Sequence, residues 1–95
     1  LTKRLDHKVA GGKLIRVEIE IDGDYAKKVH VRGDFFAHPE TLFEEAETRL
    51  EHALLSELPE LARRSFSRPE LSLFGVTPDA IAETLGRALN ESSIP

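Results

Sequence analysis

From Ile15 to Ile21 apolar and charged residues alternate strictly, with Ile15, Val17, Ile19 and Ile21 set against Arg16, Glu18 and Glu20. A two-residue period predicts a strand with one buried and one wet face. Asp22-Gly23 follows, a pair suited to a tight turn because positive φ is cheap there. Alternation then resumes, with Val29 and Val31 set against Lys28, His30 and Arg32. The two runs predict a β-hairpin. A short third strand is predicted at residues 7–9, ahead of Gly11-Gly12. A hairpin alone is marginal in water, so it needs cover.

After Gly33 the period lengthens to that of helices. Pro39 suits a first helical position. Leu42, Phe43, Ala46, Leu50, Ala53 and Leu54 then fall on one face and predict a helix over 39–56, with Glu45 and Arg49 as an i,i+4 pair. A second short helix is expected at Pro59, carrying Leu58, Leu61 and Ala62, with residues 65–70 as a loop. The last helix is marked by Thr77 as N-cap, Pro78 at the first position and Asp79 in the first turn. Val76 and Ile81 have the spacing of a hydrophobic staple. Ile81, Leu85, Ala88 and Leu89 form its apolar stripe. Gly86 costs that helix up to ~1 kcal/mol against alanine unless it permits a close approach. The prediction is an α+β fold, with a small antiparallel sheet of two or three strands packed against three helices. One domain is expected over 1–95, its ordered core at about 7–90 and its tail, 91–95, frayed.

Charge divides along the chain. Residues 1–32 carry eight Lys/Arg against five Asp/Glu, a net +3, and residues 33–95 carry five against twelve, a net −7. Either the two halves simply have different solvated faces, or the N-terminal half meets an anionic group. The overall acidity and the single tyrosine, Tyr25, argue against nucleic acid. No apolar run is long enough to span a membrane. The absence of cysteine removes disulfides and thiolate chemistry. With no signal-like stretch behind Lys3-Arg4, a cytoplasmic setting is expected.

His30, Asp34 and His38 lie close in sequence, but their spacing matches no metal-ligand pattern, so no metal is expected. No serine sits in a nucleophile elbow. Among the seventeen Asp and Glu residues none stands in a recognisably apolar setting, and no catalytic residue is assigned. Gly11-Gly12-Lys13 frees two backbone amides beside an ammonium, which suits a phosphate or carboxylate, or is only a turn. In Gly33-Asp34-Phe35-Phe36, strand parity sends Phe35 inward and Phe36 onto the wet face with Lys28, His30 and Arg32. Phe36 is then a partner anchor, unless Gly33 permits a bulge that turns both rings into the core. Asp34 can cap the next helix or hold the turn.

Residues 8–17 (KVAGGKLIRV), then the hairpin, then Val31-Arg32-Gly33-Asp34-Phe35-Phe36 with a Pro-Glu helix start, resemble the lipoate–protein ligase C-terminal (accessory) domain. Phe74-Gly75-Val76-Thr77-Pro78-Asp79-Ala80-Ile81 is similar to the start of that family's last helix, and the likeness runs over about residues 7–90. Ala10 stands where the family often has proline. The resemblance implies a fold like that of iron–sulfur scaffold proteins, without their cysteine ligands. It also implies a non-catalytic role: a separate catalytic domain or subunit activates lipoate with ATP and Mg and lipoylates lipoyl-domain acceptors. This chain alone would bind no cofactor. By this resemblance Gly11, Gly12 and Lys13 are candidates for the adenylate end. Arg32, Gly33, Asp34, Phe35 and Phe36 are candidates for docking. Set aside the resemblance, and a protein-interaction module unrelated to lipoate or, less favoured, a nucleic-acid binder remains.

Overall fold

The computed structural model of the chain describes residues 1–9, 11 and 13–90. Three strands, β1 (Thr2–Lys8), β2 (Leu14–Asp22) and β3 (Tyr25–Gly33), form an antiparallel meander in the order β1-β2-β3. The predicted hairpin is β2–β3, with Asp22 paired to Tyr25 across a loop of Gly23 and Asp24. Gly23 has φ +62°, as such a loop requires. The first strand starts at Thr2, earlier than the expected residue 7. Lys3, Leu5 and His7 alternate with exposed neighbours there, but only one of the three is aliphatic, so the apolar period is hidden.

A register shift at Glu20/Ile21 leaves Lys27 as an extra residue in β3. The bulge inverts the side-chain parity, so Ala26 is buried like Val29 and Val31 while Lys27 and Lys28 both face water. The inner sheet face is Ile15, Val17, Ile19, Ala26, Val29 and Val31.

Three helices cover that face: α1 (Glu40–Thr48), α2 (Leu58–Ser65) and α3 (Pro78–Asn90). A 3-10 turn, Leu55–Glu57, leads into α2. The expected 39–56 helix is shorter at both ends. Pro39 is the N-cap with ψ 149°, and its carbonyl accepts the Leu42 and Phe43 amides. After Thr48 the chain leaves the helix and runs beside the start of β3. The His52 amide donates to the Ala26 carbonyl (2.6 Å), the Ala26 amide to Ala53 (2.8 Å) and the Leu55 amide to Asp24 (2.9 Å). An edge strand needs partners for its backbone groups, and residues 52–55 supply them where a longer helix would not.

In α1 Phe43, Ala46 and, just beyond, Leu50 are buried. Phe43 stacks on Phe66 at 5.0 Å, and Ser65 Oγ donates to the Ala46 carbonyl, tying α2 to α1. The expected Glu45–Arg49 pair gives way to an ion pair from Glu45 to Arg68 (3.1 Å). In α3 the Ala80 amide donates to Thr77 Oγ1 (3.0 Å), the predicted cap. Residues 91–95 lie outside the described residues. Two further strands, β4 (Phe36–His38) and β5 (Ser72–Phe74), pair antiparallel as a separate small sheet. Three residues are too few to show a period, and the sequence gives no sign of them.

Candidate functional site

The stretches singled out in sequence meet at one end of the sheet. Between β1 and β2 the Val9 amide donates to the Lys13 carbonyl (2.9 Å), Gly11 has φ +90°, and Lys13 is exposed. Gly12 lies outside the described residues. The next carbonyl, Leu14, accepts the Asp34 amide at 2.9 Å. Gly33 pairs with Ile15, and a Cβ at Gly33 would stand 2.1 Å from the Leu14 oxygen. Only glycine lets the two backbones come this close. Gly75 joins from the other side with φ +93°, where a Cβ would come within 3.3 Å of the Asp34 oxygen. Lys13 and Leu14, Gly33–Phe36 and Phe74–Val76 are therefore neighbours.

The two phenylalanines part company here. Phe35 is half-buried and its ring lies 5.8 Å from that of Phe43. Phe36 is 78% exposed. It faces outward as one of the two sequence alternatives has it, but not by continuing the wet face of β3. Gly33 ends that strand, and Phe36 begins β4. Directly opposite Phe36 in β5 stands Phe74, itself 57% exposed. Next to Phe36 is an open cavity of about 260 Å³, lined by Phe35, Phe36 and Phe43 and by Arg32, Glu40 and Glu44. Asp34 does not cap α1, whose N-terminus has no side-chain cap.

Arg32 is held by Glu47. Its Nη1 donates to Glu47 Oε2 at 2.7 Å, and the same oxygen accepts the buried Val31 amide at 2.7 Å. Glu47 thus bonds the outer edge of β3 to α1 and fixes the backbone just before Gly33. It lies on the buried side of α1 with Phe43 and Ala46, which corrects the expectation that no acid stands in an apolar setting; its place four residues after Phe43, on the apolar stripe, is the signal that reading passed over. Phe74 had a weaker signal, an apolar residue just before a glycine.

On the outer sheet face two arginines are taken up by ion pairs. Arg4 pairs with Glu18, and Arg16 with Asp6 at 2.9 Å. Hydrogen bonds from Arg16 and Arg4 hold the carboxyls of Asp6 and Glu18 below their usual range. Arg16 is raised, first by its bond to Asp6 and also by the charges of Asp6 and Asp34. Among the described residues no ion pair engages Lys8 or Lys13, and Lys8 pairs in register with Leu14, beside Lys13. The unneutralised positive charge at this end is these two ammoniums.

His30 faces Glu18 on the sheet, His38 lies in β4 and Asp34 in the connection between. Among the described residues no three His, Cys, Asp or Glu gather as a metal site, and no helix is long and apolar enough to cross a membrane.

No family model matches the chain. It is 29% identical over 72 residues to the lipoate–protein ligase A subunit 2 of Thermoplasma acidophilum, covering 76% of each protein. It also superposes on a chain in the structure of a bi-partite lipoate protein ligase with its E2 lipoyl domain from that organism. The TM-score is 0.69 at 27% identity, over 90% of this chain and 92% of that one. In sequence and in fold the chain is similar to a lipoate–protein ligase subunit. The structural likeness takes in nine-tenths of the chain, more than the short motifs that first carried it.

Proposed function

We propose that this chain is the non-catalytic accessory part of a two-part lipoate–protein ligase, supporting ATP-dependent activation of lipoate to lipoyl-adenylate by a catalytic subunit. The observation that carries this is the agreement in sequence and in fold with subunits of such a ligase. The chemistry calls for a helper. A lipoate carboxylate oxygen attacks the α-phosphorus of ATP and pyrophosphate leaves, so two anions must first be brought together. Added positive charge and exclusion of water both lower that barrier. In this chain Lys13, with the amides of Gly11 and Gly12, is assigned to the adenylate end, and Lys8 stands beside it. Arg32, Gly33, Asp34, Phe35 and Phe36 are assigned to docking. ATP, lipoate and Mg belong to the partner's site, lipoyl domains are the downstream acceptors, and the setting is cytoplasmic. A nucleic-acid role is disfavoured by the Arg4–Glu18 and Arg16–Asp6 pairs, which neutralise much of the outer sheet face.

The test is lipoate-dependent ATP–pyrophosphate exchange by the catalytic subunit with and without this chain. Exchange should rise when the chain is added, and Lys13→Ala should blunt the rise at saturating subunit. Equal exchange in its presence and absence would refute the proposal.

A further inference from the structure

The small β4–β5 sheet is arranged against its own stability. Ala37 and Leu73, its middle residues, face inward and are half-buried, whereas Phe36 and Phe74 point to water. Residues directly opposite in an antiparallel pair have Cβ atoms ~5 Å apart, so the two rings form one patch. With about 200 Å² for each phenylalanine, the exposed fractions amount to roughly 270 Å² of aromatic surface. Alternatives were open to the fold. Gly33 and Gly75 let the chain bend sharply on either side, and Phe35 from the same stretch does turn inward onto Phe43. The patch sets two exposed rings side by side, of the residue type enriched in the anchors of protein interfaces. Its border is acidic: Glu40 and Glu44 line the cavity beside Phe36, both are exposed, and among the described residues neither has an ion-pair partner. Arg32, the cation in that lining, is taken by Glu47.

Resting on the accessory-subunit reading, we propose that Phe36 and Phe74 jointly anchor this chain to the ligase catalytic subunit, and that the surface they meet is an apolar strip bordered by Lys or Arg. The acids Glu40 and Glu44 make the border selective, because an acidic partner would leave them desolvated beside like charge. Phe74 is then a docking residue of the same rank as Phe36, although the two lie 38 positions apart in sequence. Lys13 stands at this same end of the sheet, so docking through the two rings would bring it toward the partner's site.

Binding of the purified catalytic subunit to the whole chain, followed by calorimetry, tests this. Phe74→Ala and Phe36→Ala should each weaken binding about tenfold or more, as truncation of an aromatic anchor does. Both side chains are exposed, so the variants should fold and melt like the parent. Glu40→Lys with Glu44→Lys should weaken binding and abolish its decline with added salt. Lys27→Ala, near the opposite end of β3, should bind normally. At saturating concentration Phe74→Ala should restore full ATP–pyrophosphate exchange, which separates docking from a role in the chemistry. If the parent chain binds and stimulates while both phenylalanine variants bind as tightly, this inference is overturned and the accessory role stands. If the parent neither binds nor stimulates, the accessory role falls and the inference with it. Sedimentation showing that the patch instead joins two copies of this chain, without affecting catalytic-subunit binding, also overturns it.

Discussion

Glu47 offers the sharpest test of how the docking end is held. Its carboxylate accepts the Val31 amide and the Arg32 guanidinium, and the side chain is only about a tenth exposed. Glu47→Ala leaves the Val31 N–H without an acceptor in a buried position, which costs ~1–3 kcal/mol. The Arg32 contact adds little, because that guanidinium side chain is 61% exposed and its pairing is worth at most ~1 kcal/mol. A loss of ~2–3 kcal/mol is expected from a total stability of roughly 5–14 kcal/mol for a chain this size. At ~4–8 °C per kcal/mol, the melting temperature should fall by ~8–24 °C. Glu47→Gln keeps an oxygen acceptor for the amide and loses only the charge, so it should cost ~1 kcal/mol or less. Urea denaturation of the three proteins, with hydrogen exchange at Val31, reads both outcomes. If Gln costs as much as Ala, the charge pair holds β3 to α1 and the amide argument is wrong. If Ala costs under about 0.5 kcal/mol, the clamp contributes nothing.

Gly33→Ala should cost about 3 kcal/mol or more, since its Cβ would sit 2.1 Å from the Leu14 oxygen and backbone must move. A urea midpoint near that of the parent would show that the close approach relaxes freely. Gly86→Ala should stabilise by ~0.5–1 kcal/mol, because the new Cβ would meet only Pro59 Cγ at an ordinary 3.7 Å in a helical backbone. A lower melting temperature would count against this. Asp6, Glu18 and Glu60 have carboxyls held below their ordinary range by Arg16, Arg4 and Arg63. Their contribution is therefore complete above the ordinary carboxylate pKa of about 4 and is lost as pH falls through the lowered values. Thermal melts from pH 7 to 2.5 should decline only at the acidic end and less steeply in Asp6→Asn, and the effect should shrink in high salt because all three groups are exposed.

Periodicity carried much of the architecture. The strict alternation of 15–21 with 29–31 predicted the β2–β3 hairpin and its inner face, and Thr77-Pro78-Asp79 predicted the start of α3, because strand faces and helix caps are local chemistry. The resemblance added the ligase connection from short motifs whose order mattered more than any one of them. Other features were invisible along the chain. The 39–56 pattern ends as helix at Thr48 because the edge of β3 captures residues 52–55, a competition that exists only once the sheet is built. Local sequence determined which faces are apolar, where chains turn and which residues are free to leave a helix or strand. Tertiary structure alone decided that Phe36 would find Phe74, that Glu47 would reach across to Val31, and that most arginines of the sheet would be neutralised in place. Those partners lie 10 to 38 positions apart, and only the assembly of the sheets and helices brings such distant groups together.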